Sequence, residues 1–172
     1  MKALTLMQPW ASLVAIGAKG IETRSWSTKY RGPLAIHASK RFGKEEIRLC
    51  ITPPFLYFLY KAGIVHEGRN WAREIPLGAV IATCDLVEII PIPFFPSRYI
   101  SSFKLYGMGM YPNEAYVPQP RDRVIPIPPP EPERSFGNYK PGRYAWILEN
   151  IQRLPEPIPA KGAQSLWNWE ER

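Results

Sequence analysis

The sequence predicts a single α+β domain, in which short helices flank a mixed sheet, and three observations support this prediction. The chain has 172 residues, which is enough to bury one hydrophobic core. Segments with helical spacing of apolar residues alternate along it with segments of strand period. A proline-rich excursion, at about residues 103 to 141, has too few periodic apolar residues for a core of its own. We therefore assign residues 1–172 to one domain that carries this excursion.

A first strand and a first helix are predicted at the N-terminus. Residues 2 to 6 have strand character, and residues 9 to 17 have apolar residues on one helical face. Pro9 suits a first helical position, because its missing N–H has no intrahelical partner there. Gly17 can adopt the left-handed conformation that ends a helix. The chain is therefore expected to turn after Gly17.

The segment that follows the turn combines two cations with one carboxylate. Residues 20 to 26 have strand period, which places Glu22, Arg24 and Trp26 on one face, and Lys19 at the turn can reach that face. Neighbouring cations favour the ionised form of a carboxylate. Such a trio offers donors to a phosphate and an acceptor to the N–H of a base edge. The alternative is a solvated ion-pair cluster that only stabilises the turn.

A second strand is predicted over residues 33 to 39, with His37 and Ser39 facing away from the core. If this strand pairs near the motif strand, both side chains face the same cleft as Glu22. A single histidine in a strand is also compatible with a purely structural, hydrogen-bonded role. The pattern therefore gives two further candidate residues.

The remaining elements lie downstream. Glu88 or Asp85, on the clearest strand, is the core-strand carboxylate expected to approach the motif. Trp167, near the C-terminus, is expected to be anchored in the core. The periodicity predicts helices over residues 42 to 51, with Glu46 exposed, and over 55 to 62. It also predicts a loop over 63 to 76 and strands over 79 to 90 and 144 to 151.

Positive charge is concentrated around the motif. The net charge of the chain is +7, and residues 19 to 48 carry eight basic residues against three acidic ones, a net charge of +5. Concentrated positive charge next to aromatic side chains indicates a polyanionic partner with stackable bases, whose binding depends on salt. A basic surface that only aids solubility is the alternative.

Cysteine usage and hydropathy exclude several classes of protein. Cys50 and Cys84 lie in apolar segments without metal-ligand spacing, which predicts buried, reduced thiols and a cytoplasmic protein, with a disulfide between the two as the alternative. The N-terminus lacks the apolar core of a signal peptide, and no apolar run reaches membrane-spanning length. We therefore expect no membrane association, no metal site and no cofactor.

Gly17, Lys19, Glu22 and Arg24 spell G-x-K-x-x-E-x-R, and the sequence around them resembles the ASCH family. The resemblance implies a PUA-like mixed β-barrel and, since its members are mostly regarded as RNA-binding, an RNA-related function. It covers both ends of the chain and leaves about the middle third unmatched. It is supported by Gln8-Pro9-Trp10, Ala35-Ile36-His37-Ala38-Ser39, Gly142-Arg143-Tyr144-Ala145-Trp146 and Pro159-Ala160-Lys161-Gly162-Ala163-Gln164.

The leading hypothesis is a module that binds RNA or a modified nucleoside or nucleotide. Lys19 and Arg24 would contact a phosphate or carbonyl oxygen, and Glu22 would accept from a base N–H. Trp26 or another aromatic residue of the cleft would stack on the base. The resemblance implies that Lys161 and Gln164 border the cleft. The candidate ligand-binding residues are Lys19, Glu22, Arg24, Trp26, His37, Ser39, Lys40, Lys161 and Gln164.

Two other functions remain open at this stage. The first is a small hydrolase, either an amidohydrolase acting on acylated cytidine or a ribonuclease, in which Lys19 and Glu22 would be catalytic. In the deacylating relatives the position of Glu22 is a threonine nucleophile, so this chain departs from their pattern. The second is a protein-interaction adaptor that uses the proline-rich excursion and the aromatic residues 55 to 60.

Overall fold

The computed structural model describes residues 1–68, 70–93, 97–100 and 124–170. The part of the proline-rich excursion before residue 124 lies outside the described residues. The strands are β1 (Lys2–Leu6), β2 (Ile21–Arg24), β3 (Gly32–Ala38), β4 (Ala79–Pro91), β5 (Ser97–Ile100), β6 (Val124–Ile127), β7 (Tyr144–Pro159) and β8 (Leu166–Asn168). The helices are α1 (Trp10–Ala15), α2 (Lys44–Cys50), α3 (Phe55–Lys61), α4 (Trp71–Glu74) and a 3₁₀ helix (Glu133–Phe136).

Six strands form one curled sheet in the order β2-β7-β4-β3-β1-β8, and β5 pairs with β6 separately. The β1–β3 pair is parallel and the other pairs are antiparallel. The sheet curls into a half-barrel, and Arg24 of β2 donates through Nη2 to the carbonyl oxygen of Thr5 in β1 at 2.9 Å. The predicted α+β class, with a mixed sheet and short helices, is confirmed.

The core has two main parts. Inside the curl, Trp146, Leu34 and Leu86 belong to a buried cluster to which β1, β3, β4, β7 and α1 contribute. The second cluster lies among the helices and includes Leu59 of α3. Phe136 of the 3₁₀ helix is buried in this second cluster, and its ring packs edge-on against the ring of Phe55 at 5.1 Å. The described part of the proline-rich excursion is therefore packed into the domain.

Strand β7 is much longer than the predicted strand over residues 144 to 151, because it continues through Pro155 and Pro157 to Pro159. Proline removes a backbone donor, so it is tolerated where one side of a strand is unpaired. Pairing of β7 with β2 stops at Ile147, and beyond that residue β7 pairs only with β4, with register shifts. The missing N–H groups thus interrupt a ladder that is already irregular.

Two helical details also differ from the prediction. Glu46 of α2 was expected to be exposed but is buried, and its Oε2 accepts from the backbone N–H of Gly43 at 2.8 Å, which caps the helix. The predicted loop over residues 63 to 76 contains α4. No helix in the described part of the chain is long and apolar enough to cross a membrane.

Both cysteines are buried and free. Burial raises the pKa of the Cys50 thiol and of the Cys84 thiol to about 12, so neither is a thiolate at neutral pH. At the C-terminus, Trp169 is the buried tryptophan, whereas Trp167 is only partly buried and donates through Nε1 to the Oγ1 of Thr5 at 3.1 Å. Trp167 is therefore only partly packed in the core, and its indole N–H bonds to a residue of β1.

Candidate nucleic-acid interface

The turn after α1 directs Lys19 into the protein. Gly17 has a φ of 73°, as expected for the residue that ends a helix. The backbone N–H groups of Ala18 and Lys19 both donate to the carbonyl oxygen of Leu13, at 2.9 and 3.1 Å. These two hydrogen bonds to one carbonyl oxygen close the turn tightly, and the chain continues directly into β2.

Lys19 is a buried cation, with a side chain that is 0% exposed. Its ammonium donates to the carbonyl oxygen of Ile21 and lies 3.5 Å from Oε2 of Glu22 and 3.8 Å from Oε1 of Glu133. A buried ammonium needs such partners, because burial without them is very costly. Lys19 was expected to face the cleft, and the structure places it beneath the cleft instead, between two carboxylates.

Glu22 and Arg24 lie on the same face of β2, at the cleft. The Nε of Arg24 is 3.1 Å from Oε1 of Glu22, and the two side chains are 24% and 11% exposed. The Nε–H does not align with the carboxylate, so among the described residues this buried donor has no hydrogen-bond partner. Attraction between opposite charges therefore holds the pair together, and the guanidinium donors of Arg24 lie beside the carboxylate acceptor of Glu22.

Glu133 completes the charged cluster, and sequence reasoning missed it. It projects from the 3₁₀ helix, and its carboxylate accepts from the backbone N–H of Gly20 at 2.7 Å and of Ile21 at 3.3 Å. Burial raises the pKa of Glu133, although the Lys19 charge and the two backbone donors oppose that effect. No periodicity or motif marked this residue, because it lies in an irregular segment.

The expectation that Asp85 or Glu88 approaches the motif is wrong. Asp85 accepts through Oδ2 from Nδ2 of Asn150 at 2.7 Å, and Glu88 lies near Arg31, away from the cleft. Burial raises the pKa of Glu88. The register shifts along β4 explain the difference, because each shift changes which side chains face inward.

The motif cleft is a cavity of about 350 Å³ between β1, β2 and the segment after the 3₁₀ helix. The backbone N–H of Asn138 donates to Oγ1 of Thr23 at 2.9 Å, which holds that segment against β2. Trp10, partly buried, contributes an aromatic wall. The lining residues are Thr5, Leu6, Met7, Trp10, Glu22, Thr23, Arg24, Ser135, Phe136, Gly137 and Asn138.

Five other predicted site residues line a different depression. Because β3 pairs with β1 and β4 and not with β2, the condition under which His37 and Ser39 would share the motif cleft is not met. They open instead into a second depression of about 930 Å³. Its lining includes the predicted residues His37, Ser39, Lys40, Lys161 and Gln164, together with Thr5, Leu77, Gly78, Pro159, Ala160, Gly162 and Ala163.

Trp26, which was expected to share the face of Glu22 and Arg24, lies beyond the end of β2 and lines neither of these two cavities. Its ring packs edge-on against the ring of Trp146 at 4.7 Å, and its carbonyl oxygen accepts from Nε1 of Trp146 at 3.3 Å. One side of Trp26 borders a small connecting depression of about 340 Å³, which is lined by Leu4, Thr5, Arg24, Trp26, Ala163, Gln164 and Ser165. The half-buried indole is thus held in place while part of it faces this depression.

Replacing Glu133 with glutamine should change how stability depends on pH. A carboxyl whose folded-state pKa is raised contributes stability below its unfolded pKa, and this contribution is lost as the pH rises through the folded value. Glutamine does not titrate, so Glu133→Gln should gain stability relative to wild type as the pH rises above 4.5, the ordinary pKa of a glutamate side chain. Urea unfolding across this range measures the difference, with the exposed Glu156→Gln as control. A constant difference across the range would contradict the prediction.

Comparison with known proteins agrees with this architecture. The ASCH domain family matches residues 4–154. Over 98 residues the chain is 33% identical to "Activating signal cointegrator 1" of Mus musculus and 32% identical to the protein of the same name of Homo sapiens. These alignments cover 56% of this chain and 16% of each relative, so the chain corresponds to a small part of their length. With its curled mixed sheet and its G-x-K-x-x-E-x-R motif in place, the chain belongs to the ASCH domain family, whose fold is PUA-like and whose members generally bind RNA.

Proposed function

We propose that the motif cleft binds one nucleotide of an RNA, or a modified nucleoside or nucleotide, by reading the edge of its base. The observation that carries this proposal is the pair formed by Arg24 and Glu22, in which a partly exposed guanidinium lies beside a carboxylate at the cleft, with Nε 3.1 Å from Oε1. A base edge with a carbonyl oxygen next to an N–H offers the complementary pattern.

The environment of the pair supports base recognition. Trp10 provides an aromatic wall, and stacking on aromatic side chains is the usual way in which proteins hold unpaired bases. A cavity of about 350 Å³ lies at the small end of the range for small-molecule sites. It suits a single base with its sugar better than a duplex.

Lys19 has an indirect role in this proposal. Since its ammonium is buried and contacts Glu22 and Glu133, it holds the Glu22 carboxylate in position and does not touch a phosphate. The attraction for the ribose-phosphate chain comes from the exposed cations of residues 19 to 48, where the net charge is +5. Arg24 is the motif cation that a ligand meets directly.

Arg24→Ala tests this proposal. We expect it to weaken binding of a labelled single-stranded RNA about tenfold, because a charge-assisted hydrogen bond to the base is lost. Fluorescence anisotropy between about 50 and 200 mM salt measures affinity, and wild-type affinity should fall as salt rises. The matched control is Lys29→Ala, which removes one exposed positive charge from the same basic region outside the cavities.

Arg24 also bonds to Thr5 across the barrel, so thermal melting of each variant must accompany the binding measurement. Arg24→Lys keeps the charge but loses the planar guanidinium, and it should bind RNA less tightly than wild type if the base edge is read. Equal affinities for wild type, Arg24→Ala and Lys29→Ala would refute the proposed site.

A further inference from the structure

A neutral histidine ring lies buried in the lining of the second depression. His37 is 2% exposed, and its Nε2 lies 3.1 Å from the carbonyl oxygen of Ala160, so Nε2 carries the proton and donates. Nδ1 is then an acceptor, and it has no hydrogen-bond partner among the described residues. Burial lowers the pKa of His37, and the nearby charge of Lys40 acts in the same direction, which keeps the ring neutral.

Glycine at two positions gives this depression its shape. A Cβ built on Gly162 would lie 2.6 Å from Nδ1 of His37, so only glycine lets this loop pack against the ring. A Cβ on Gly78, which has a φ of 61°, would lie 2.7 Å from Cγ of Lys40. The aliphatic part of the Lys40 side chain therefore packs against the backbone of Gly78 at the rim of the depression.

The charges of the second depression favour an anion. Lys40 and Lys161 are exposed on its lining, and none of the described residues that line it is acidic. In the motif cleft, by contrast, Arg24 is accompanied by Glu22. The two cavities therefore differ in character: the first suits a base edge, and the second suits a phosphate together with an apolar surface.

The three cavities, together named the groove, lie next to one another. Thr5 lines the motif cleft, the connecting depression and the second depression. Arg24 joins the first two, and Gln164 joins the last two. Thr5 and His37 are direct partners in the parallel β1–β3 pair, and neighbouring strands are about 4.8 Å apart. Neighbouring units of one extended strand can therefore occupy both ends.

We propose that the second depression is a subsite for the adjacent nucleotide of a single strand, with its phosphate between Lys40 and Lys161 and the half-buried Trp26 beside the path between the two subsites. This inference rests on the proposed function of the motif cleft and makes it more specific. The ligand is then a single-stranded oligonucleotide of at least two units and not a free nucleoside. A duplex is excluded, because its bases are stacked and paired and cannot enter the two cavities.

The test combines two lengths of ligand with removal of the two lysine charges. Fluorescence anisotropy is measured with a labelled mononucleotide and with a labelled single-stranded RNA of about six nucleotides, the scale of small single-strand sites. In the Lys40→Ala/Lys161→Ala double variant, the gain in affinity from the short ligand to the long one should shrink about tenfold. The salt slope for the longer RNA should fall by about 0.7, since one phosphate contact is lost and each such contact contributes about 0.7 for single strands.

Lys29→Ala/Lys44→Ala is the matched control, because it removes two exposed positive charges from outside the groove. If both double variants lose the same affinity and slope, only the general charge matters and the second subsite is refuted. If Arg24→Ala weakens both ligands while Lys40→Ala/Lys161→Ala changes neither, the motif-cleft proposal stands and the second subsite fails. If wild type binds neither ligand, the proposed function fails and the subsite fails with it.

Discussion

Replacing Lys19 with methionine is expected to lower the free energy of unfolding by about 3 to 5 kcal/mol at neutral pH. The side chain is fully buried, and its ammonium is the cation between the carboxylates of Glu22 and Glu133. Methionine fills a similar volume but leaves two carboxylates near each other without this compensating charge. Urea unfolding followed by tryptophan fluorescence measures the loss.

The loss should be smaller in acid. Burial already raises the pKa of Glu133, and removal of Lys19 takes away an effect that lowers it. The Lys19→Met protein should therefore regain stability relative to wild type as the pH falls and Glu133 takes up a proton. Lys29→Met, at an exposed position, is the control and should change stability by less than about 0.5 kcal/mol. A similarly small change for Lys19→Met would show that the buried cluster contributes little.

Replacing Glu22 with glutamine is expected to weaken RNA binding by about 1 to 3 kcal/mol. Glutamine keeps an acceptor oxygen and the shape of the side chain but loses the charge that strengthens the bond from a base N–H. The measurement is again anisotropy with single-stranded RNA, and Glu156→Gln, an exposed position outside the cavities, is its control. Unchanged affinity for Glu22→Gln would remove the carboxylate from the proposed base contact.

The same substitution separates binding from hydrolysis. If Glu22 activates a water molecule, Glu22→Gln should nearly abolish turnover of acylated cytidine or cleavage of RNA and leave binding largely intact. We expect no such turnover in wild type, because Glu22 is paired with Arg24 and Lys19 and the threonine nucleophile of the deacylating relatives is absent at this position. Product formed by wild type but not by the variant would favour the hydrolase over the binding module.

Local patterns predicted the elements that carry the motif. The helix over residues 9 to 17 appears as α1 followed by Gly17 at positive φ, and the strand over residues 20 to 26 appears as β2. These predictions depend on contacts between residues that are close in the chain, such as the two hydrogen bonds to the carbonyl oxygen of Leu13. The continuation of strand β7 through its prolines was not predictable in this way, because tolerance of proline depends on which strand edge is unpaired.

The strand period within residues 20 to 26 is enough to predict that Glu22 and Arg24 share one face next to Lys19, because alternate residues of an extended strand point to the same side. Tertiary structure alone decided that Lys19 is buried and that Glu133, 113 residues from Gly20 along the chain, accepts from the start of β2. It also decided that His37 lies in a separate depression, since β3 sits between β1 and β4. Burial and strand order depend on which distant segments pack together, and the residue spacing within one segment does not indicate which segments those are.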